Sequence, residues 1–327
     1  MANGFLYNSI ANSTRQTYNA SFANYKLFAL TNGIPSHQLL PATTSTIVLW
    51  ITWLAGMKLL SFKSIKTYMA GMSSIVVELG YANPIKDNKI VYQLLRGIKR
   101  TIGVKEKQIR LPITSAIIRQ MLDRLPRQER SYEDKLVFAA ACTGTYGLLR
   151  AGEFVQTDHN QLELLTLSQL SLFNAQNQPI NFHTATAVEL TRTSYYVVHL
   201  HQSKADPFRF GADVMIANLT AIQALIDYII IHPRRLYPTA PLFINRDQSN
   251  LTRTQLMIDI RKHLMKSGVK DAHLFHGHSF RKGGAQTLKE LGVDAETIQL
   301  FGRWASDAHT AYTTTPIAFR LATSQRM

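Results

Sequence analysis

Apolar positions recur every three or four residues along most of the chain, the spacing of one face of an α-helix. The rhythm first runs over residues 9–31, where Leu, Phe and Tyr follow Ser13 or Thr14 as a cap, and Gly33 and Pro35 end it. Residues 44–59 predict a second, more apolar helix that carries Trp50 and Trp53. Residues 61–80 predict a third, opened by Ser61 as N-cap and stopped by Gly80. Residues 86–103 predict a fourth. No alternating strand pattern interrupts them, so the first third of the chain should be an all-α bundle.

The stretch VKEKQIRLPIT, residues 104–114, loses this rhythm, is charged and contains Pro112. It reads as a boundary, giving a first domain over 1–105, a linker over 106–112 and a second domain over 113–327. Beyond it TSAIIRQMLDRL restarts a helix capped by Thr114 or Ser115. SYEDKLVFAAACTGTYGLLRAGEFVQ predicts one long buried helix leading to Arg150. Between residues 160 and 215 the period changes. LLTLSQLSLF, TAVELTRTSYYVVHLHQSK and ADVMIANL are rich in Thr, Val, Tyr and Leu with alternation, which predicts a small antiparallel sheet. Helical spacing returns at 218–232, 252–267, 279–291, 294–302 and 306–313. The predicted fold class is mainly α: a helical first domain, then a mostly helical second domain with a small antiparallel β-sheet inserted.

Composition sharpens this picture. A chain of 327 residues suits two domains, and 46% apolar residues suffice for proper cores. No apolar run reaches bilayer length, and the best candidate, STIVLWITWLAGMKLL, is broken by polar residues. The start, MANGFLYNSIANST, lacks the basic and apolar segments of a signal peptide. One cysteine, Cys142, excludes a disulfide within the chain and favours an intracellular location. Charge is more telling. The net charge is +15 and the pI about 9.9, and residues 1–105 hold eleven Lys or Arg against two Asp or Glu, or +9. These cations are interleaved with apolar residues, as in KLLSFKSIKTYMAGM and YQLLRGIKRTIGVKEKQIR. A folded surface that faces DNA is the expected use, with Lys63, Lys66, Arg96, Lys99 and Arg100 as candidate contacts.

The chemistry concentrates later. HGHSFRKGGAQTLKELG places His278, Arg281 and Lys282 at the opening of a helix, whose N-terminus is already partly positive. Cations there are unfavourable unless an anion is expected. Arg150 ends the apolar run YGLLRAGE, with Glu153 three residues on. Lys204 lies in the turn-like HQSKADPFRFG. Trp304 and Tyr312 lie in FGRWASDAHTAYTTT. Taken singly each has an ordinary explanation: an arginine pairing with Glu153, a solvated turn lysine, a capping histidine, a core tryptophan.

In their order and spacing these elements resemble the tyrosine recombinase, or phage integrase, family. GLLRAGE, SKADPFRFG, GHSFRKGGA and GRWASDAHTAY carry the resemblance, which covers residues 110–315; residues 1–105 match only in kind, as a basic helical core-binding domain. The motif wording is most similar to recombinases of eukaryotic mobile elements, of the Crypton and DIRS-like kinds. The resemblance implies Tyr312 as the nucleophile that forms a 3′-phosphotyrosine. It implies Arg150 and Arg281 on the non-bridging phosphate oxygens, and Lys204 as the acid for the 5′-oxygen. His278 would assist proton transfer, Trp304 would stand where a second histidine is common, and Glu153 would orient Arg150 or His278. It implies a homotetramer on two double-stranded DNA sites, in the nucleus for a eukaryotic element and otherwise in cytoplasm or nucleoid.

Physical chemistry supports these roles. A phosphodiester under attack gathers negative charge on its equatorial oxygens, and fixed donors aimed there are the main catalytic resource. Arginine engages two oxygens and keeps its proton. Two arginines supply charge that other nucleases take from a metal, so no cofactor is expected. Trp304 departs from the family pattern, since an indole cannot relay a proton, and its spacing to Tyr312 is one residue short of many bacterial members. His309, three residues before Tyr312, is a further histidine to place. Lys282 sits about a third of a turn from Arg281 and suits a backbone phosphate or solvent. Three rivals remain open here: a metal site at His273, His276 and His278, a DNA-binding module without activity, and a type IB topoisomerase.

Overall fold

The computed structural model describes residues 9–103, 109–157, 164–201 and 210–304. The chain divides into two compact units, Met1–Gln108 and Ile109–Met327.

The first unit is all-α among its described residues, as expected: α1 (Asn12–Thr31), α2 (Thr44–Gly56), α3 (Phe62–Glu78) and α4 (Lys89–Ile102). Three of these start on side-chain caps, Thr43, Ser61 and Asn88, each accepting a first-turn N–H. Helix α1 does not begin at Ser13 or Thr14. Its N-cap is Ala11, whose carbonyl accepts from Thr14 N at 2.9 Å and Arg15 N at 3.0 Å, so the backbone closes the turn before either hydroxyl can cap it. Gly80 ends α3 with φ +84°, a left-handed value that glycine takes without a Cβ penalty. The core packs Tyr25, Phe28, Trp50, Leu54 and Met72. Tyr25 meets Trp50 edge-on at 5.4 Å, and the Trp50 indole N–H donates to Asn24 Oδ1 at 3.0 Å, which satisfies its buried polar end.

The second unit is built around α6 (Tyr132–Tyr146), buried continuously from Leu136 to Thr145. Against it pack α5 (Ser115–Arg124), α9 (Leu219–Ile229), α10 (Arg253–Lys266) and α11 (Ser279–Glu290). The expected long helix to Arg150 is interrupted. Helix α6 stops at Tyr146, Leu148 turns left-handed with φ +48°, and a new short helix, α7 (Ala151–Phe154), starts with Arg150 as its N-cap. Leu148 and Leu149, 2% and 0% exposed, stay buried through the break.

Four strands form one antiparallel sheet in the order β2-β1-β3-β4: β1 (Leu170–Phe173), β2 (Pro179–Ile180), β3 (Tyr195–Leu200) and β4 (Ala212–Ile216). The piece TAVELTRT, expected as strand, instead makes α8 (Ala187–Leu190). Thr186 and Glu189 form a capping box there, and this local helix signal outweighs the β-propensity of Thr and Val. A last described helix, α12 (Ala295–Phe301), follows α11.

The end of the charged stretch read as linker is bound into this unit. Leu111 N donates to Leu274 O at 3.2 Å and Ile113 N to Ser279 O at 2.9 Å, and Ile113 is fully buried. A Cβ on Gly283 would lie 1.7 Å from Ile113 O, and one on Gly284 would lie 2.2 Å from Thr145 O. Both glycines are therefore close-approach points that seat α11 against its neighbours. Among the described residues no helix is long and apolar enough to cross a membrane.

Candidate active site

The α6–α7 turn and the start of α11 meet in one place. Gly277, just before His278, packs so close that a Cβ there would sit 3.1 Å from Ala151 Cβ. Phe280 stacks edge-on against Phe154 at 5.8 Å, clamping α7 to α11. Arg150 and His278, 128 positions apart, are thus carried on touching elements. His278 is exposed at the N-cap of α11, with φ −82° and ψ −9° and no side-chain cap bond.

Arg150 is held by Glu153, a residue only 6% exposed in its side chain. Glu153 Oε1 accepts from Arg150 Nη1 at 2.7 Å, and Oε2 accepts from Arg150 N at 2.9 Å. Arg281 is fully buried. Its Nη1 donates to Leu148 O at 2.7 Å, its Nη2 donates to Gly302 O, and its guanidinium lies 4.3 Å from the centre of the Trp304 ring. That indole, 8% exposed, packs over Gly302, where a Cβ would lie 1.6 Å from it. A cation over an indole face is electrostatically favourable, so Trp304 serves Arg281 as a platform.

A third guanidinium joins them. Arg303 Nη2 reaches Leu148 O at 3.3 Å and Glu153 Oε2 at 3.5 Å, and Nη1 reaches Gly147 O at 3.3 Å. Burial holds its pKa below the ordinary arginine value, Glu153 opposes that, and Arg150 adds to it. Nothing in the spacing of GRW singled out Arg303, because the neighbouring tryptophan is the more conspicuous residue. The only signal was its place in the one short motif that also holds Trp304.

A cationic cluster on a helix entrance suits a phosphate. The phage integrase family matches the chain over residues 113–315, the segment that supplies every one of these groups. The chain belongs to the phage integrase family. An integrase/recombinase XerD homolog from Selenomonas ruminantium is 23% identical over 314 residues, 92% of this chain and 81% of its own. In fold, the chain is similar to a XerH site-specific recombinase bound to a palindromic difH substrate. That similarity has a TM-score of 0.59 at 15% identity and covers 95% of this chain and 79% of that one. It is also similar to a Tn1549 transposon integrase in complex with transposon right end DNA. The TM-score there is 0.56 at 12% identity, over 98% and 95% of the two chains.

Within this integrase-family chain, Lys204, His309 and Tyr312 lie outside the described residues. Lys282 Nζ donates to Arg110 O at 2.8 Å. Its pKa is lowered by burial, which suits a main-chain contact. His276 lies 3.4 Å from Arg261 Nη2; burial first, then Arg261, Arg110 and His273, keep its pKa down. Among the described residues no three His, Cys, Asp or Glu gather as a metal site.

In the first unit Lys63 and Lys66 on α3, and Arg96, Lys99 and Arg100 on α4, are all exposed. Lys99 Nζ lies 5.8 Å from the centre of the Phe62 ring, which brings a cation of α4 to the first residue of α3.

Proposed function

We propose that the chain is a site-specific DNA recombinase that cuts and rejoins double-stranded DNA through a 3′-phosphotyrosine intermediate. The observation that carries this reading is the convergence of Arg150 and Arg281 on one turn. Both reach it beside His278, inside the segment that matches the family.

In the proposed reaction the Tyr312 phenol oxygen attacks the scissile phosphorus as the 5′-oxygen leaves. The phenol proton passes toward His278, and Lys204 protonates the departing oxygen. Arg150 and Arg281 stabilise the charge that builds on the phosphate, Glu153 orients Arg150, and Trp304 backs Arg281. Religation is the reverse: a 5′-hydroxyl attacks the phosphotyrosine and releases the phenol. The bond energy is conserved in the adduct, so neither ATP nor a metal is required. Lys63, Lys66, Arg96, Lys99 and Arg100 grip the phosphate backbone and set register without reading sequence. Lys282 acts at the margin, through Arg110. The assembly is a homotetramer on two DNA sites. The motif wording further points to a recombinase of a eukaryotic mobile element acting in the nucleus.

A suicide DNA substrate nicked beside the cleavage site tests this. The unaltered protein should form a covalent adduct, and Tyr312→Phe should bind the same DNA and form none. An adduct in the Phe variant rules out Tyr312. Specific binding with no adduct from the unaltered protein leaves a binding module. Relaxation of supercoils by a monomer, without resolution of a synthetic Holliday junction, makes it a topoisomerase.

A further inference from the structure

Arg303 stands in a backbone conformation that its residue type does not favour. Its φ is +55°, in the left-handed region that a residue with a Cβ disfavours. Such an outlier is a reason to ask what the side chain does there. Closing the end of α12 explains only one of its contacts, the 3.4 Å approach of Nη1 to Phe301 O. The others reach across to Gly147, Leu148 and Glu153, more than 145 positions away in the chain.

Two of those acceptors are shared. Leu148 O takes Arg281 Nη1 at 2.7 Å and Arg303 Nη2 at 3.3 Å. Glu153 takes Arg150 on Oε1 and Arg303 on Oε2, at 2.7 and 3.5 Å. Arg303 therefore touches the anchors of both arginines. The charges matter as much as the contacts. Glu153 paired with Arg150 alone would cancel most of the field that Arg150 directs outward. With a second cation on the other oxygen, the carboxylate is balanced twice over. Three arginines and one glutamate leave a surplus of two positive charges, where two arginines would leave one. In a site this buried, such a difference is weakly screened.

We propose that Arg303 is a positioning residue for strand cleavage: it braces Glu153 and the Leu148 carbonyl so that Arg150 and Arg281 keep both their geometry and their charge. The proposal rests on the recombinase reading and adds to it a residue that acts through others rather than on the phosphate.

The test is a double-mutant cycle on covalent adduct formation at saturating suicide substrate, with DNA affinity and thermal midpoint measured on each variant. Arg303→Gln should slow adduct formation by about 30-fold with the DNA Kd changed by about twofold or less. Arg303→Lys, which restores the cation, should recover about a third or more of the rate. In a Glu153→Gln background, Arg303→Gln should cost about threefold or less, because the charge it balances is gone. A full and independent loss in that background overturns the proposal. So does an unchanged rate in Arg303→Gln with only the thermal midpoint lowered, which would make Arg303 a structural brace. Should Arg303→Gln fail to fold, Arg303→Lys decides: a rate as low as that of Arg303→Ala overturns the charge argument. Absence of an adduct from the unaltered protein sinks the recombinase reading itself, and this proposal with it.

Discussion

The same substitution should have opposite effects at two glycines. Gly97 lies inside α4, and a Cβ there meets nothing within 4 Å. Gly97→Ala should stabilise the protein by about 0.5–1 kcal/mol, the helix-propensity gain of alanine. Gly283 lies inside α11 and offers the same gain, but its new methyl would sit 1.7 Å from Ile113 O and 2.2 Å from Ile113 C. Main chain cannot rotate away as a side-chain tip can. Either α11 or residues 111–113 must move by roughly 1.5 Å to restore a normal carbon–oxygen contact. That breaks the 2.9 Å bond from Ile113 N to Ser279 O, about 1 kcal/mol. It also opens the pocket of fully buried Ile113, about 2 kcal/mol. Subtracting about 1 kcal/mol of propensity leaves a net loss of about 2 kcal/mol. Urea unfolding followed by circular dichroism reads this as a lower midpoint for Gly283→Ala and a higher one for Gly97→Ala. A Gly283→Ala midpoint at or above that of the unaltered protein refutes the close-approach argument. Because α11 carries His278 and Arg281, Gly283→Ala should also slow adduct formation, while Gly97→Ala should not.

Acid should destabilise the second unit through buried neutral histidines. His232 and His263 both have pKa values lowered below 6.5, first of all by burial. The unfolded chain then binds more protons than the folded one, so stability is full above about pH 6.5 and falls as pH drops below it. The thermal midpoint should be lower at pH 5 than at pH 7.5, and His232→Gln should flatten that dependence; an unchanged dependence in that variant counts against His232. Asp227, 5% exposed, accepts from Arg127 Nε on both carboxylate oxygens at 2.7 Å and lies 3.9 Å from Arg130. Asp227→Ala leaves Arg130 buried without its counter-ion and should cost about 3 kcal/mol in urea unfolding, against near zero for a surface aspartate. Replacing Lys63, Lys66 or Arg96 by Ala should reduce the slope of log affinity against log salt by about 0.9 for each phosphate that is no longer neutralised. A slope that stays the same for all three removes them from the DNA surface.

Short-range signals were legible in the sequence. Ser61, Thr114 and Gly80 act where their neighbours alone require them. The order Arg150, His278, Arg281, Trp304 was legible as a motif, and Glu153 as the partner of Arg150. What was not legible depends on contacts between distant positions. The break after α6 hides in an unbroken apolar run, since Leu148 and Leu149 fit a helix as well as a turn. The motif places Arg281 in the chain, but not the anchoring of its guanidinium on the carbonyls of Leu148 and Gly302. The necessity of Gly283 is set by Ile113, 170 positions earlier, and Arg303 is given its setting by Gly147, Leu148 and Glu153. No window of sequence contains both halves of these pairs.

Three guanidiniums of like charge stand around one turn, and oxygen atoms lie among them. Arg281 and Arg303 share the Leu148 oxygen, and Arg150 and Arg303 are joined by the Glu153 carboxylate. The arrangement is that of a small ionic lattice, in which cations are kept apart by the partial and full negative charges set among them. Four of its nodes are side chains and one is a main-chain carbonyl, so no substitution at Leu148 other than proline-like distortion of the turn deletes that node. A comparison of side chains alone would count residue 148 as packing. Its second function is written in a torsion angle of +48°, which the amino-acid alphabet records only indirectly.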